Sequence, residues 1–211
     1  MKPILFNTDM VRAILDGRKV VTRRAVKSHI DLSKYRLYEL HDNADGRITV
    51  SRNKLCAGFY TDGQIFFIDG RRHIDAFYFT APYKPGDILY VRETWAEMPY
   101  GIVYRADEEE PEGWDDDDRW RPSIHMPKEA ARIFLKVTDV IVERLQEMGA
   151  QDSLYEGVKL SLEGITKGES PLRPFADIWD STIPKKDLER YGWSANPWVW
   201  VITFERTGKP V

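Results

Sequence analysis

The stretch NPWVWVITFER, Asn196 to Arg206, decides how the chain folds. Seven consecutive residues, Trp198 to Phe204, are apolar or β-branched, with no polar alternation. Such a run, too short for a membrane helix, reads as a strand buried on both faces. A second long strand is read in EAARIFLKVTDVIVERL, from about Ala131 to Arg144. Upstream, APYKPGDILYVRETW places a turn at Pro85-Gly86-Asp87 and a strand from Ile88 to Trp95.

The amino-terminal region adds a helix and a basic strand. FNTDMVRAILDGRK offers Asn7 or Thr8 as N-cap, an apolar face of Met10, Val11, Ile14 and Leu15, and Gly17 for the C-terminal cap. KVVTRRAV follows with the β-branched character of a strand. Helical patterns span Glu147 to Leu162 and PFADIWDSTI. Residues 29–80 read as an insertion of short strands, RITVS and QIFFI among them, with turns at DNADG, TDG and IDG. The order of elements predicts an α+β protein, a small β-barrel with helices at its ends, forming a single domain over 1–211.

Composition narrows the function. The chain has 211 residues and 26 aromatic side chains, so it can bury a sizeable core. One cysteine, Cys56, allows no intrachain disulfide, and no signal peptide or membrane span is visible. A soluble cytoplasmic protein is expected. The net charge of −3 conceals an asymmetry. Residues 1–36 hold nine Lys/Arg against three acids, whereas residues 106–120 hold nine acids against Arg119. The acidic stretch reads as a solvated loop. The four histidines show no zinc-ligand spacing, and there is no P-loop or dinucleotide glycine pattern. No metal and no cofactor are expected.

The chemistry concentrates in DGRKVVTRR, Asp16 to Arg24. Thr22 is a nucleophile if a base takes its proton, and Lys19 is that base if its pKa falls from about 10.4. Burial and the charges of Arg18, Arg23 and Arg24 would lower it. Residues three apart on a regular strand face opposite ways, so the two converge only if Lys19 lies in the turn before the strand, or if the strand is bulged. The plainer reading is a half-exposed basic strand. Arginine forks also match phosphate, and Arg92 and Trp95 could add a guanidinium and a stacking ring. The plainer alternative makes Trp95 core and pairs Arg92 with Glu93 or Glu97.

GRKVVTRR after an amphipathic helix, PGDILYVRETW, SIHMPKEAARIFLKVTDVIVERL, AQDSLYEGV and NPWVWVITFER together resemble the ASCH domain family, in particular its larger phage and prophage members. Residues 2–28 and 82–206 carry the resemblance, and 29–80 and 106–120 look like insertions. The resemblance implies a barrel of the PUA-like superfamily, whose relatives bind RNA or modified nucleobases. One small bacterial member is an amidohydrolase that deacetylates N4-acetylcytidine with a lysine, a threonine and a glutamate. That pattern falls on Lys19 and Thr22, with Glu156 the best match for the glutamate and Glu147 the second choice. The resemblance thus implies hydrolysis of an N4-acylcytidine-type amide. Its alternatives are a non-catalytic RNA-binding module that reads modified bases and a metal-independent ribonuclease. The chain is about twice as long as that enzyme, and Arg23-Arg24 makes it more basic after the threonine. Both departures favour a larger or more anionic ligand, with RNA or a modified nucleoside as partner.

Overall fold

In the computed structural model, the described residues are 1–28, 80–159, 164 and 166–210, together with the backbones of five strands between 36 and 80. The order is β1 (Lys2–Leu5), α1 (Thr8–Leu15), β2 (Val21–Ala25), β3 (Arg36–Leu37), β4 (Glu39–Asp42), β5 (Ile48–Ser51), β6 (Gln64–Ile68), β7 (Ala76–Thr80), β8 (Ile88–Arg92), β9 (Trp95–Met98), β10 (Gly101–Tyr104), β11 (Phe134–Arg144), α2 (Ala150–Tyr155), α3 (Leu172–Thr182), a one-turn helix α4 (Leu188–Tyr191) and β12 (Trp198–Thr207). The chain is α+β. RITVS and QIFFI form strands at β5 and β6. Their expected turns lie wholly or mostly outside the described residues.

Five strands form one mixed sheet in the order β1-β8-β11-β12-β2, with only β1 and β8 parallel. The apolar run of β12 sits second from one edge and separates two cores. Trp200, Ile202 and Phe204 pack with Val11 and Ile14 of α1 on one face. Val199 and Val201 pack with Leu145, Met148, Phe175 and Trp179 on the other. Alternate side chains of a strand point to opposite faces, and here both faces are dry.

The partner strand β11 keeps its apolar side chains aligned by inserting one residue. Its register with β12 shifts between Val137 and Asp139. Leu135 and Val137 before the shift, and Val140 and Val142 after it, all enter the first core. A bulge of this kind resets the period-two pattern. It also leaves Glu143 on the opposite side, facing β2 and α2.

The sheet is open rather than a closed barrel: among the described strands no backbone ladder joins β1 to β2. A side chain crosses the seam instead, with Arg24 Nη2 donating to Leu5 O at 2.7 Å. The sequence places the strands but not this gap, because edge pairing depends on how far the sheet curls. One helix and one strand also differ from expectation. The pattern read over Glu147–Leu162 is a 3₁₀ turn at Leu145–Glu147 followed by α2, which ends at Tyr155. The strand expected from Ile88 to Trp95 ends at Arg92, and Trp95 opens a separate hairpin of β9 and β10. Among the described residues no helix is long and apolar enough to cross a membrane.

Ile202 is fully buried at the centre of the first core. Ile202→Ala should cost about 2–5 kcal/mol of stability. Urea titration would show a lower midpoint with an unchanged slope.

Candidate functional site

Local sequence fixes where Lys19 lies. Asn7 caps α1 by accepting the Met10 N–H at 2.9 Å. The helix ends in a Schellman motif: Gly17, at φ +73°, donates to Ile14 O, and Arg18 donates to Ala13 O. Lys19 N–H also donates to Ala13 O, so Lys19 is held in the turn before β2. It is therefore free of the strand's alternation and can point where Thr22 points. Both line the same cavity.

Glu156 arrives from the other side of the fold as the C-terminal cap of α2. Gly157 follows it at φ +95°. A Cβ there would lie 2.7 Å from Ala13 Cβ and 3.2 Å from Lys19 Cβ. Only glycine permits this close approach of α1, the Lys19 turn and α2. Two further contacts fix the junction: Val20 N–H donates to Tyr155 O, and Arg18 Nη1 donates to Gly157 O at 2.7 Å.

The buried charges form a chain. Lys19, 3% exposed, donates from Nζ to Glu156 Oε2 at 2.6 Å, to Glu156 O at 2.9 Å and to Val21 O at 2.9 Å. All three ammonium donors are used, and none goes to Thr22. Arg23, also buried, donates from Nη1 to Glu156 Oε1 at 3.3 Å, and from Nε and Nη2 to Glu143 Oε1 at 2.9 and 2.8 Å. Two cations thus alternate with two carboxylates, of which Glu143 at the end is partly exposed. Burial lowers the Lys19 pKa, the Glu156 carboxylate opposes this, and the charges of Arg24 and Arg23 lower it further. Burial raises the Glu143 pKa against the pull of Arg23. Lys19 Nζ and the Arg24 guanidinium both lie over the Phe6 ring, 5.5 and 5.3 Å from its centre, where its negative face attracts them.

The cavity has a volume of about 130 Å³. Lys19, Thr22, Arg23, Arg24 and Glu156 supply its polar wall, and Phe6, Met10, Phe175, Ile178 and Trp179 its apolar wall. It lies along the free edge of β2, which explains how consecutive residues of one strand all reach it. Thr22 is buried, yet its hydroxyl has no hydrogen-bond partner among the described residues. Arg24 has no carboxylate within ion-pair distance among them either. The site therefore offers a hydroxyl, a lysine coupled to a carboxylate, and a guanidinium anchored on Leu5 O but without a carboxylate partner among the described residues, around a space of one aromatic ring. A cavity of roughly 150 Å³ accepts benzene, which sets the scale.

The remaining expected residues lie elsewhere. Arg18 is spent on Asp16 and Gly157 outside the cavity, where it positions the Lys19 turn. Arg92 donates to Met126 O at 2.8 Å, with neither Glu93 nor Glu97 as partner: Glu93 is gripped by Arg132, and Glu97 pairs with Arg121. Trp95 is a core side chain packed on Met126, Ala130 and Phe134. Strand β8 ends before it, and the next hairpin turns it inward. Glu147 accepts the Arg144 N–H in a surface cap. The acidic loop 106–120 lines no part of the cavity; Arg12 fastens its start to α1 through Ala106 O, and Trp114 stacks on Trp120. Among the described residues no group of three or more His, Cys, Asp or Glu could hold a metal.

Gly157→Ala should destabilise the protein by about 1–3 kcal/mol, because the methyl has no room and the backbone is left-handed. Thermal unfolding would register the loss.

Sequence reading missed Glu143 altogether. It is one charged residue in a strand of eleven, and only its place opposite Arg23 across the sheet distinguishes it. No family model, no curated protein and no solved structure matches this chain.

Proposed function

We propose that the chain is an ASCH-like amidohydrolase of PUA-like architecture that hydrolyses the exocyclic amide of an N4-acylcytidine. The observation that carries this reading is the meeting of a free Thr22 hydroxyl and the buried Lys19–Glu156 pair in one ring-sized cavity. The supporting resemblance lies in the lysine and threonine three residues apart after a capped helix.

The pyrimidine ring lies against Phe6 and Trp179, with its acyl carbonyl facing Thr22. In its neutral form, Lys19 takes the Thr22 hydroxyl proton as Oγ1 bonds to the carbonyl carbon. Burial and the charges of Arg24 and Arg23 favour that neutral form, while Glu156, accepting from Nζ at 2.6 Å, holds the amine in place and steadies its charge once the proton is taken. The Arg24 guanidinium stabilises the developing oxyanion. Collapse breaks the C–N4 bond, and Lys19 returns the proton to the leaving amine. An acyl ester on Thr22 remains. Water then attacks it, with Lys19 again as base, releasing the carboxylic acid and restoring the hydroxyl. Arg23 touches no reacting atom; it holds Glu156 in place from the side of Glu143.

Purified protein should release cytidine from N4-acetylcytidine. Thr22→Ala and Lys19→Ala should each lower kcat/KM by at least a hundredfold, the scale of a lost nucleophile or base. Wild-type protein that binds cytidine derivatives without turnover would instead make the chain a base-reading module.

The pH profile gives an independent check. A base must be unprotonated, so kcat/KM should rise with pH through the Lys19 pKa, which lies below the ordinary lysine value. Because the charge of Arg24 contributes to that lowering, Arg24→Gln should move the rise to higher pH.

A further inference from the structure

Two more cavities adjoin the ring-sized one, and Arg24 lines all three. The larger, about 440 Å³, lies in the seam between β1 and β2, bounded by Leu5, Arg24, Lys27, Tyr83 and Trp200. The smaller, about 230 Å³, lies beside α3 and includes Asp187. Arg24 and Lys27 line both; the seam chamber has no carboxylate beside them, whereas the other adds Arg23, already held by Glu143 and Glu156, and the carboxylate of Asp187. Neither Arg24 nor Lys27 has an ion-pair partner among the described residues. The nearby Asp87 is committed to Lys2 at 2.8 Å, and the Tyr83 hydroxyl donates to Pro3 O at 2.7 Å.

A nucleoside does not use this chamber's charge. The inner cavity holds one ring, so the ribose of any nucleoside must leave it, and whatever the ribose carries enters a neighbouring space. The seam chamber is open, large enough for a sugar-phosphate, and positive where a phosphate would arrive. Resting on the amidohydrolase reading, we propose that the substrate is a phosphate-bearing acylated cytidine whose phosphate is held in the β1–β2 seam by Lys27, with Arg24 as the wall shared with the reacting ring. The phosphate belongs either to a mononucleotide or to a single strand; the contact chemistry is the same. Lys27 lies outside the cavity of Lys19, Thr22 and Glu156, so its removal leaves the reacting groups in place.

The test compares N4-acetylcytidine, its 5′- and 3′-monophosphates, and a pentanucleotide with one central N4-acetylcytidine, for wild type and Lys27→Ala at low and high salt. A phosphorylated substrate should exceed the nucleoside in kcat/KM by about tenfold or more, the worth of one charge-assisted phosphate contact. Lys27→Ala should erase that advantage and leave nucleoside turnover unchanged, and salt should shrink it. A preference confined to a monophosphate makes the source a nucleotide; one shared by the pentanucleotide makes it a strand. Equal rates on nucleoside and phosphorylated substrates, or a preference that Lys27→Ala leaves intact, overturn the proposal. If nothing is hydrolysed, the amidohydrolase reading fails separately. Intrinsic tryptophan fluorescence, titrated with cytidine 5′-monophosphate and with cytidine, then decides. Tighter nucleotide binding lost in Lys27→Ala upholds the phosphate site; equal binding of the two, or none, overturns it.

Discussion

Two cations and two carboxylates, Lys19, Glu156, Arg23 and Glu143, lie in line behind β2 and are largely shielded from water. Burying such groups costs several kcal/mol per ion unless each finds its counter-charge and its hydrogen bonds. Here nearly every donor does, because four parts of the chain converge within a few ångströms: the turn after α1, strand β2, the bulged strand β11 and the cap of α2. If any of them shifts, a charge is stranded. The chain of charges therefore constrains the structure around it more tightly than apolar packing, which tolerates substitution as long as volume is kept.

The rest of the architecture serves that convergence. Strand β12, dry on both faces, lets one sheet carry two cores, so that α1 packs on one side, and α3 with Met148 and Val158, which flank α2, on the other. Lys19 and Glu156 reach each other around the free edge of β2, where neither core closes the way. The open seam between β1 and β2 has the same origin. A closed ladder there would occupy the space that Arg24 spans and that the adjoining chamber uses.

Polarity in the site is graded. Lys19 is fully hydrogen-bonded and Arg23 is committed to two carboxylates, while Thr22 and Arg24 keep hydrogen-bonding capacity unspent. Groups that are satisfied hold geometry; groups that are not are available to a ligand. That division separates Arg18 and Arg23, which position the site, from Arg24, which faces the cavity. All three belong to one nine-residue basic run and look alike in sequence.

The sequence by itself determined the elements whose cause is local. The apolar run at Trp198–Phe204 makes β12, and the Asn7 cap and Gly17 delimit α1, but Lys19, read at the head of the strand KVVTRRAV, lies instead in the turn before β2, which begins at Val21. Tertiary structure decided everything that depends on a distant partner. Glu156 meets Lys19 from 137 residues away, and Glu143 meets Arg23 from 120. Neither pairing follows from periodicity, because a carboxylate on a strand or at a helix end has the same local pattern whether it meets solvent or a buried arginine. Arg92 and Trp95 lie away from the cavity for the same reason: the end of β8 and the next hairpin turned them toward Met126 and its neighbours. Local propensity decides which residues form an element, and the charge or apolar surface across from it decides what each side chain is for.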